Sequence, residues 1–203
     1  MTPPADDLLD ELDDTTPLAP DERDELIPAT LATRADLNEW ERENILGARK
    51  WALATRQLRR HDPLTEDYLR RLHRKMFDHT WRWAGRFRTT ERNLGLPVHQ
   101  LVPAVRDLLD DARHWLTHET YDADEIAVRV HHRLVVVHPW PNGNGRHARL
   151  LADVLIARAG RPPFGWGREM DLTMPGRARR EYLGALRATD ANGYAPIVAF
   201  ARS

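Results

Sequence analysis

The sequence predicts a mainly α-helical domain, and three observations carry that prediction. Apolar residues recur at helical spacing through most of the chain, helix-starting polar residues precede several of those runs, and only one short stretch reads as paired strands. Residues 1–30 stand apart, with ten acids, Arg23 as the sole base and prolines at 3, 4, 17, 20 and 28. Such a segment reads as a flexible or loosely docked acidic arm. Thr33-Arg34-Ala35-Asp36 resembles a capping box, opening a helix whose stripe runs Leu37, Trp40, Ala48, Trp51 and Leu58 to about Arg60. Asn44 and Thr55 fill the same stripe. Pro63-Leu64-Thr65 restarts a helix with Leu69, Leu72 and Met76 on one face, and Trp81 to Gly85 is a turn. Residues 86–98 are expected to form a small, irregular hairpin, with Gly95 and Pro97 interrupting it. Helices follow over 101–118 and from Asp122, which with Glu125 signals a cap. The run 145–159 is apolar nearly all round, predicting a central buried helix ended by Gly160. Pro175 and Gly193 punctuate two last helices, and no internal repeat is evident.

Composition narrows the function. At 203 residues the chain suits one domain, 31–203, plus the arm. A net charge of −1 offers no basic field for nucleic acid. The absence of cysteine removes disulfides, thiolate metal sites and cysteine nucleophiles together. The acidic N-terminus lacks the basic and apolar regions of a signal peptide, and no apolar run approaches membrane-spanning length. A soluble cytoplasmic protein without membrane or nucleic-acid partners is the expectation.

Chemistry concentrates in His138-Pro139-Trp140-Pro141-Asn142-Gly143-Asn144-Gly145-Arg146-His147-Ala148-Arg149. Two glycines let the backbone bend so that several N–H groups converge, making an anion cradle. A helix starting there adds its positive dipole end. Arg146 and Arg149, three residues apart, would share one helical face and fork onto phosphate oxygens. His138, before the turn, is placed to act as a general base. A zinc cluster of His131, His132, His138 and His147 is disfavoured, because His131 and His132 point to different faces and no His-Glu-x-x-His is present. His147 and Arg158 are expected at the surface.

These residues resemble the Fic (Fic/Doc) signature His-x-Phe-x-(Asp/Glu)-Gly-Asn-Gly-Arg-x-x-Arg, matched at His138, Gly143, Asn144, Gly145, Arg146 and Arg149. Within that family the chain looks most like the subgroup labelled mobile mystery protein B. The resemblance covers roughly residues 30–200 and implies a Fic-type helical bundle with a β-hairpin flap near the active site. It also implies transfer of AMP from ATP, with Mg²⁺, to a Ser, Thr or Tyr hydroxyl of a target protein docked at the 86–98 flap. On that reading His138 is the catalytic base, and Gly143, Asn144, Gly145, Arg146 and Arg149 hold phosphates. Asn144 would also orient the scissile region. Trp140 stands where the signature has Phe, and Asn142 where it has the acid that holds the metal, so Asn142 is the candidate Mg²⁺ ligand. Some members carry an inhibitory helix, Ser/Thr-x-x-x-Glu-Gly/Asn. Here Glu43-Asn44 matches its end, Glu39 replaces the hydroxyl, and Glu43 on the 34–60 helix is the candidate inhibitor, pairing with Arg149. A homo-oligomer or an antitoxin-like regulator fits the same toxin-like pattern. Two rivals stand beside the adenylyltransferase: a nucleotide-binding regulatory module that no longer catalyses, and a Fic-fold transferase using another donor. Gly145, where the kinase-like Doc branch has lysine, favours AMP.

Overall fold

A computed structural model describes residues 24–28, 30–31, 33–92, 94–167 and 176–203 of the chain. Among them the chain forms α1 Arg34–Ala52, α2 Thr55–Arg60, α3 Glu66–Phe77, α4 Leu101–Thr117, α5 Ala123–Val137, α6 Asn144–Arg158, α7 Arg177–Asn192 and α8 Ala195–Arg202. A single 3-10 turn, Val98–Gln100, precedes α4. The mainly α expectation is met.

Local chemistry sets the starts. Thr33 Oγ1 accepts the Asp36 amide at 3.2 Å while Asp36 returns the contact to Thr33 N at 3.0 Å, closing the predicted capping box. Thr65 caps α3 through the Tyr68 amide at 3.1 Å. Asp122 caps α5 through Asp124 N at 2.9 Å, whereas Glu125 is drawn off to Arg129. The helix expected to run to Arg60 instead breaks, because Ala54 takes an extended backbone (ψ 133°) and α2 turns away. Arg158 holds α2 against α6 by donating to Leu58 O and, at 2.7 Å, to His61 O. That arginine is exposed, as expected, and it also clamps the two helices.

Of the acidic arm, only 24–28 and Thr30 are among the described residues. Leu26 is buried there and bridges antiparallel to Trp81, with Ile27 N donating to Thr80 O at 2.9 Å and Arg82 N to Glu25 O at 3.0 Å. This end of the arm is pinned, not loose. The rest of the arm and Pro175 lie outside the described residues.

The core forms around α6, whose Ala148, Leu151, Ala152, Val154 and Ile156 are almost wholly enclosed. Leu151, Val154 and Ile156 each contribute about 1.5–3 kcal/mol through burial, and α6 is thereby fixed as the rod on which the motif is mounted. It packs on α5 and on α3, so its N-terminus faces loops from both. Gly160 (φ 70°) follows its end as expected. No helix among the described residues is long and apolar enough to cross a membrane.

Candidate active site

His138 sits where α5 ends, in the left-handed region (φ 55°, ψ 56°), its amide donating to Leu134 O at 3.1 Å. For a residue with a Cβ this conformation costs about 1–2 kcal/mol, and it turns the chain sharply into Pro139. Burial is the main influence on the imidazole and pushes its pKa down to about 4. A hydrogen bond with the Val135 carbonyl opposes that shift, while Arg88 and Arg92 add to it. A neutral ring keeps a lone pair on one of its two nitrogens, as a base requires.

The turn after it is locked by Asn144. Its Oδ1 accepts the Trp140 amide and its Nδ2 donates to Trp140 O, both at 2.9 Å. Asn144 is buried, so this side chain is consumed in shaping the loop. Gly143 caps α6 at φ 79°, where an added Cβ would stand 2.4 Å from the Phe77 ring. The first helical hydrogen bond runs from His147 N to Gly143 O at 2.9 Å. The amides of Asn144, Gly145 and Arg146 therefore lack acceptors within the helix, leaving the positive end of α6 at the motif.

Two histidines support the loop from beneath. His73 accepts the Gly85 amide at 3.0 Å, so its Nε2 carries the proton given to Asn142 O at 3.2 Å. His147 accepts from Trp140 Nε1 at 3.3 Å and donates to Leu69 O at 3.0 Å. His147 is fully buried, contrary to the surface position expected of it, because α6 is enclosed on that side too. Burial holds both imidazoles below their ordinary pKa, that of His147 at about 4.

The two motif arginines are treated differently. Arg149 lies over the Tyr182 ring, 5.2 Å from its centroid. Its Nη1 is 3.5 Å from where a Cβ on Gly145 would stand, beside the N-terminus of α6. The Tyr182 hydroxyl in turn lies 2.9 Å from His131 Nε2. Arg146 instead forms an ion pair with Glu41, which is 1% exposed and also accepts from Trp81 Nε1 at 2.6 Å.

The structure does not bring Glu43 to Arg149. Glu43 is exposed and lines an open groove of about 360 Å³ between α1 and α3, with Trp40, Gly47, Lys75 and His79. The helical phase explains it: residues 41 and 43 are two positions apart, hence on nearly opposite sides of α1. The carboxylate reaching the motif is Glu41, and it takes the first arginine. A signal was present, since Glu41 falls on the buried line Leu37–Glu41–Asn44–Ala48.

Asn142 spends its Oδ1 on the Gly143 amide at 2.6 Å. Among the described residues no three metal-ligating side chains converge. A neutral amide engaged in its own turn is a weak Mg²⁺ ligand.

Residues 86–98 contain no strand among those described. The carbonyls a hairpin would pair across, Thr90 O and Leu96 O, are taken by the Arg88 guanidinium instead, the former at 3.1 Å. The segment still covers the site as expected: Leu96 N donates to Val137 O at 3.3 Å, and Gly95 lies against His138. Sequence reasoning missed Arg88, His73, Tyr182 and Glu41, because their partners come from distant segments.

Residues 63–156 match the Fic/DOC family. The chain carries a Fic/DOC family domain. Protein adenylyltransferase fic-1 of Caenorhabditis elegans is 33% identical over 144 residues, covering 69% of this chain and 27% of that protein. Protein adenylyltransferase Fic of Drosophila grimshawi is 31% identical over 133 residues, 64% of this chain and 26% of that one. The chain spans about a quarter of the length of these curated relatives. The solved C. elegans Fic-1 fragment superposes with a TM-score of 0.61 at 27% identity, covering 78% of this chain and 46% of that chain. BepC from Bartonella tribocorum, solved with AMPPNP, shares the fold with a TM-score of 0.62 at 18% identity, covering 93% and 91%. The Fic segment contains His138, the N-terminus of α6, His73 and Arg88, whereas Glu41 and Tyr182 join it from helices outside residues 63–156.

Proposed function

We propose that this chain is a protein adenylyltransferase, moving AMP from ATP to a hydroxyl side chain of a target protein. The carrying observation is a neutral, half-buried His138 directly ahead of a helix N-terminus whose first amides have no acceptor within the helix. Those amides and Arg149 receive the phosphates, preorganised and aimed at the charge they stabilise. The hydroxyl proton passes to the free nitrogen of His138 as the oxygen bonds to the α-phosphorus. The bond from that phosphorus to the bridging oxygen breaks, and pyrophosphate leaves; placement and charge stabilisation supply most of the acceleration. ATP brings Mg²⁺ chiefly on its own phosphates, because Asn142 stands in the motif without a carboxylate's charge. The target docks on the 86–98 segment beside His138.

The test is labelling with α-labelled ATP in an acceptor lysate. His138→Ala is expected to lower incorporation by about 10²–10⁴-fold, the usual worth of a general base. Incorporation at the native rate without the imidazole overturns the mechanism. Glu43→Gly is expected to leave the rate unchanged, given its place on the far side of α1.

One observation favours a second reading. Arg146 is occupied by Glu41, which leaves one motif arginine for phosphate. A nucleotide-binding module without transfer predicts calorimetric ATP binding in the native chain and no label incorporation at any pH.

A further inference from the structure

We propose that Arg88 is a positioning residue for the transfer reaction, fastening the 87–97 segment to the main chain of His138 so that the base and the target-docking surface move as one. The inference rests on the transferase reading of the site, but its geometry stands independently.

Arg88 is 3% exposed, yet among the described residues no carboxylate meets its guanidinium at hydrogen-bonding distance. Glu91 is 3.6 Å away and itself mostly exposed, with one oxygen accepting the Val98 amide at 3.0 Å. The cation donates to main-chain carbonyls instead: Nε to His138 O at 2.8 Å, Nη1 to Thr90 O at 3.1 Å, and Nη2 to Leu96 O. Burying a charge costs several kcal/mol unless it is well solvated by fixed dipoles, so the placement secures geometry above all. The Arg88 amide also donates to Pro139 O at 2.9 Å. With Leu96 N on Val137 O, three consecutive carbonyls, 137 to 139, are all held by this one segment.

Those carbonyls flank the left-handed His138. Such a conformation persists only where its surroundings over-determine it, and Arg88 supplies two of the constraints. Gly95 supplies a steric one. At φ 95°, an added Cβ would stand 2.4 Å from His138 Cβ and 3.0 Å from both Arg88 Nη2 and Val137 O. Only a residue without a side chain lets the segment lie on the histidine. Lysine cannot replace Arg88, because one ammonium cannot reach three carbonyls set around a planar fork.

The consequence is mechanistic. A base displaced by about 1 Å loses about 100-fold in rate, and the segment that docks the target sets that distance through Arg88. The charges facing His138 are Arg88 and Arg92 from this segment, and both disfavour the imidazolium.

Arg88→Lys and Gly95→Ala in the full chain test the proposal, with ¹³C-histidine NMR titration of His138, calorimetric ATP affinity and label incorporation. Arg88→Lys is expected to cut incorporation about 100-fold with ATP affinity within about 3-fold. Gly95→Ala is expected to behave likewise, and it keeps the proposal testable should Arg88→Lys fail to fold. In both variants the His138 titration moves up from about 4; a general loss of stability would not move it in the remaining folded protein. Native-like incorporation and an unmoved titration overturn the proposal, while loss of incorporation in His138→Ala leaves the transferase reading intact. No incorporation by the native chain sinks that reading alone, since the titration still decides whether Arg88 and Gly95 hold His138.

Discussion

Asn144 shows how a motif residue can be spent on shape. Its two hydrogen bonds enclose the Trp140 peptide, and both partners are buried. Asn144→Ala orphans an amide and a carbonyl, and is expected to lower unfolding free energy by about 2–4 kcal/mol in urea titrations. Glu41 and Glu43 make a sharper contrast. Glu41→Ala leaves Arg146 without its counter-charge in a largely buried site and is expected to cost about 3–5 kcal/mol. Glu43→Gly, on an exposed helix face, is expected to cost about 1 kcal/mol from propensity alone, and paired thermal melts separate the two. The sequence made the motif legible because its logic is local: a base, two glycines and two arginines within twelve residues. Which glutamate meets an arginine was legible only in part: Glu41 lies on the buried line of α1, but its partners Trp81 and Arg146 come from distant segments.

At the scale of elements, caps were readable and partnerships were not. Thr33 with Asp36, and Thr65, announced their helices through contacts spanning three residues. Nothing near Leu53 marked the break that sends α2 back to Arg158, since the carbonyls involved lie about a hundred positions from their donor. The flap is a similar case, with a side chain replacing cross-strand pairing. Helix α1 is tied to α6 by two ion pairs of opposite sense, Glu41 to Arg146 and Arg49 to Asp153. Asp153 is fully buried and also accepts from Trp166 Nε1 at 2.9 Å. Exchanged polarity along the pair makes a slipped register costly, because sliding would bring like charges together. Arg49→Met is expected to destabilise by about 3–5 kcal/mol, and Asp153→Asn on top of it to recover part of that loss in a double-mutant cycle.

For the whole molecule, acid is the expected weakness. His73, His131, His138 and His147 are all held below the ordinary histidine pKa, burial being the first cause in each. As pH falls below about 6.5 the unfolded chain takes up protons that the folded chain refuses, so stability drops towards pH 4. Four such groups set a limiting slope of about 5 kcal/mol per pH unit, and thermal midpoints measured from pH 7.5 to 5 are expected to fall steeply. The shelter over Arg149 carries a different consequence. Tyr182, the aromatic lid on that arginine, belongs to α7, beyond the segment shared with the Fic/DOC family. A fragment ending at Ile156 would keep all six matched letters of the signature yet leave its second arginine without the Tyr182 ring and His131 without the Tyr182 hydroxyl, so the structural unit that supports the motif is longer than the shared segment.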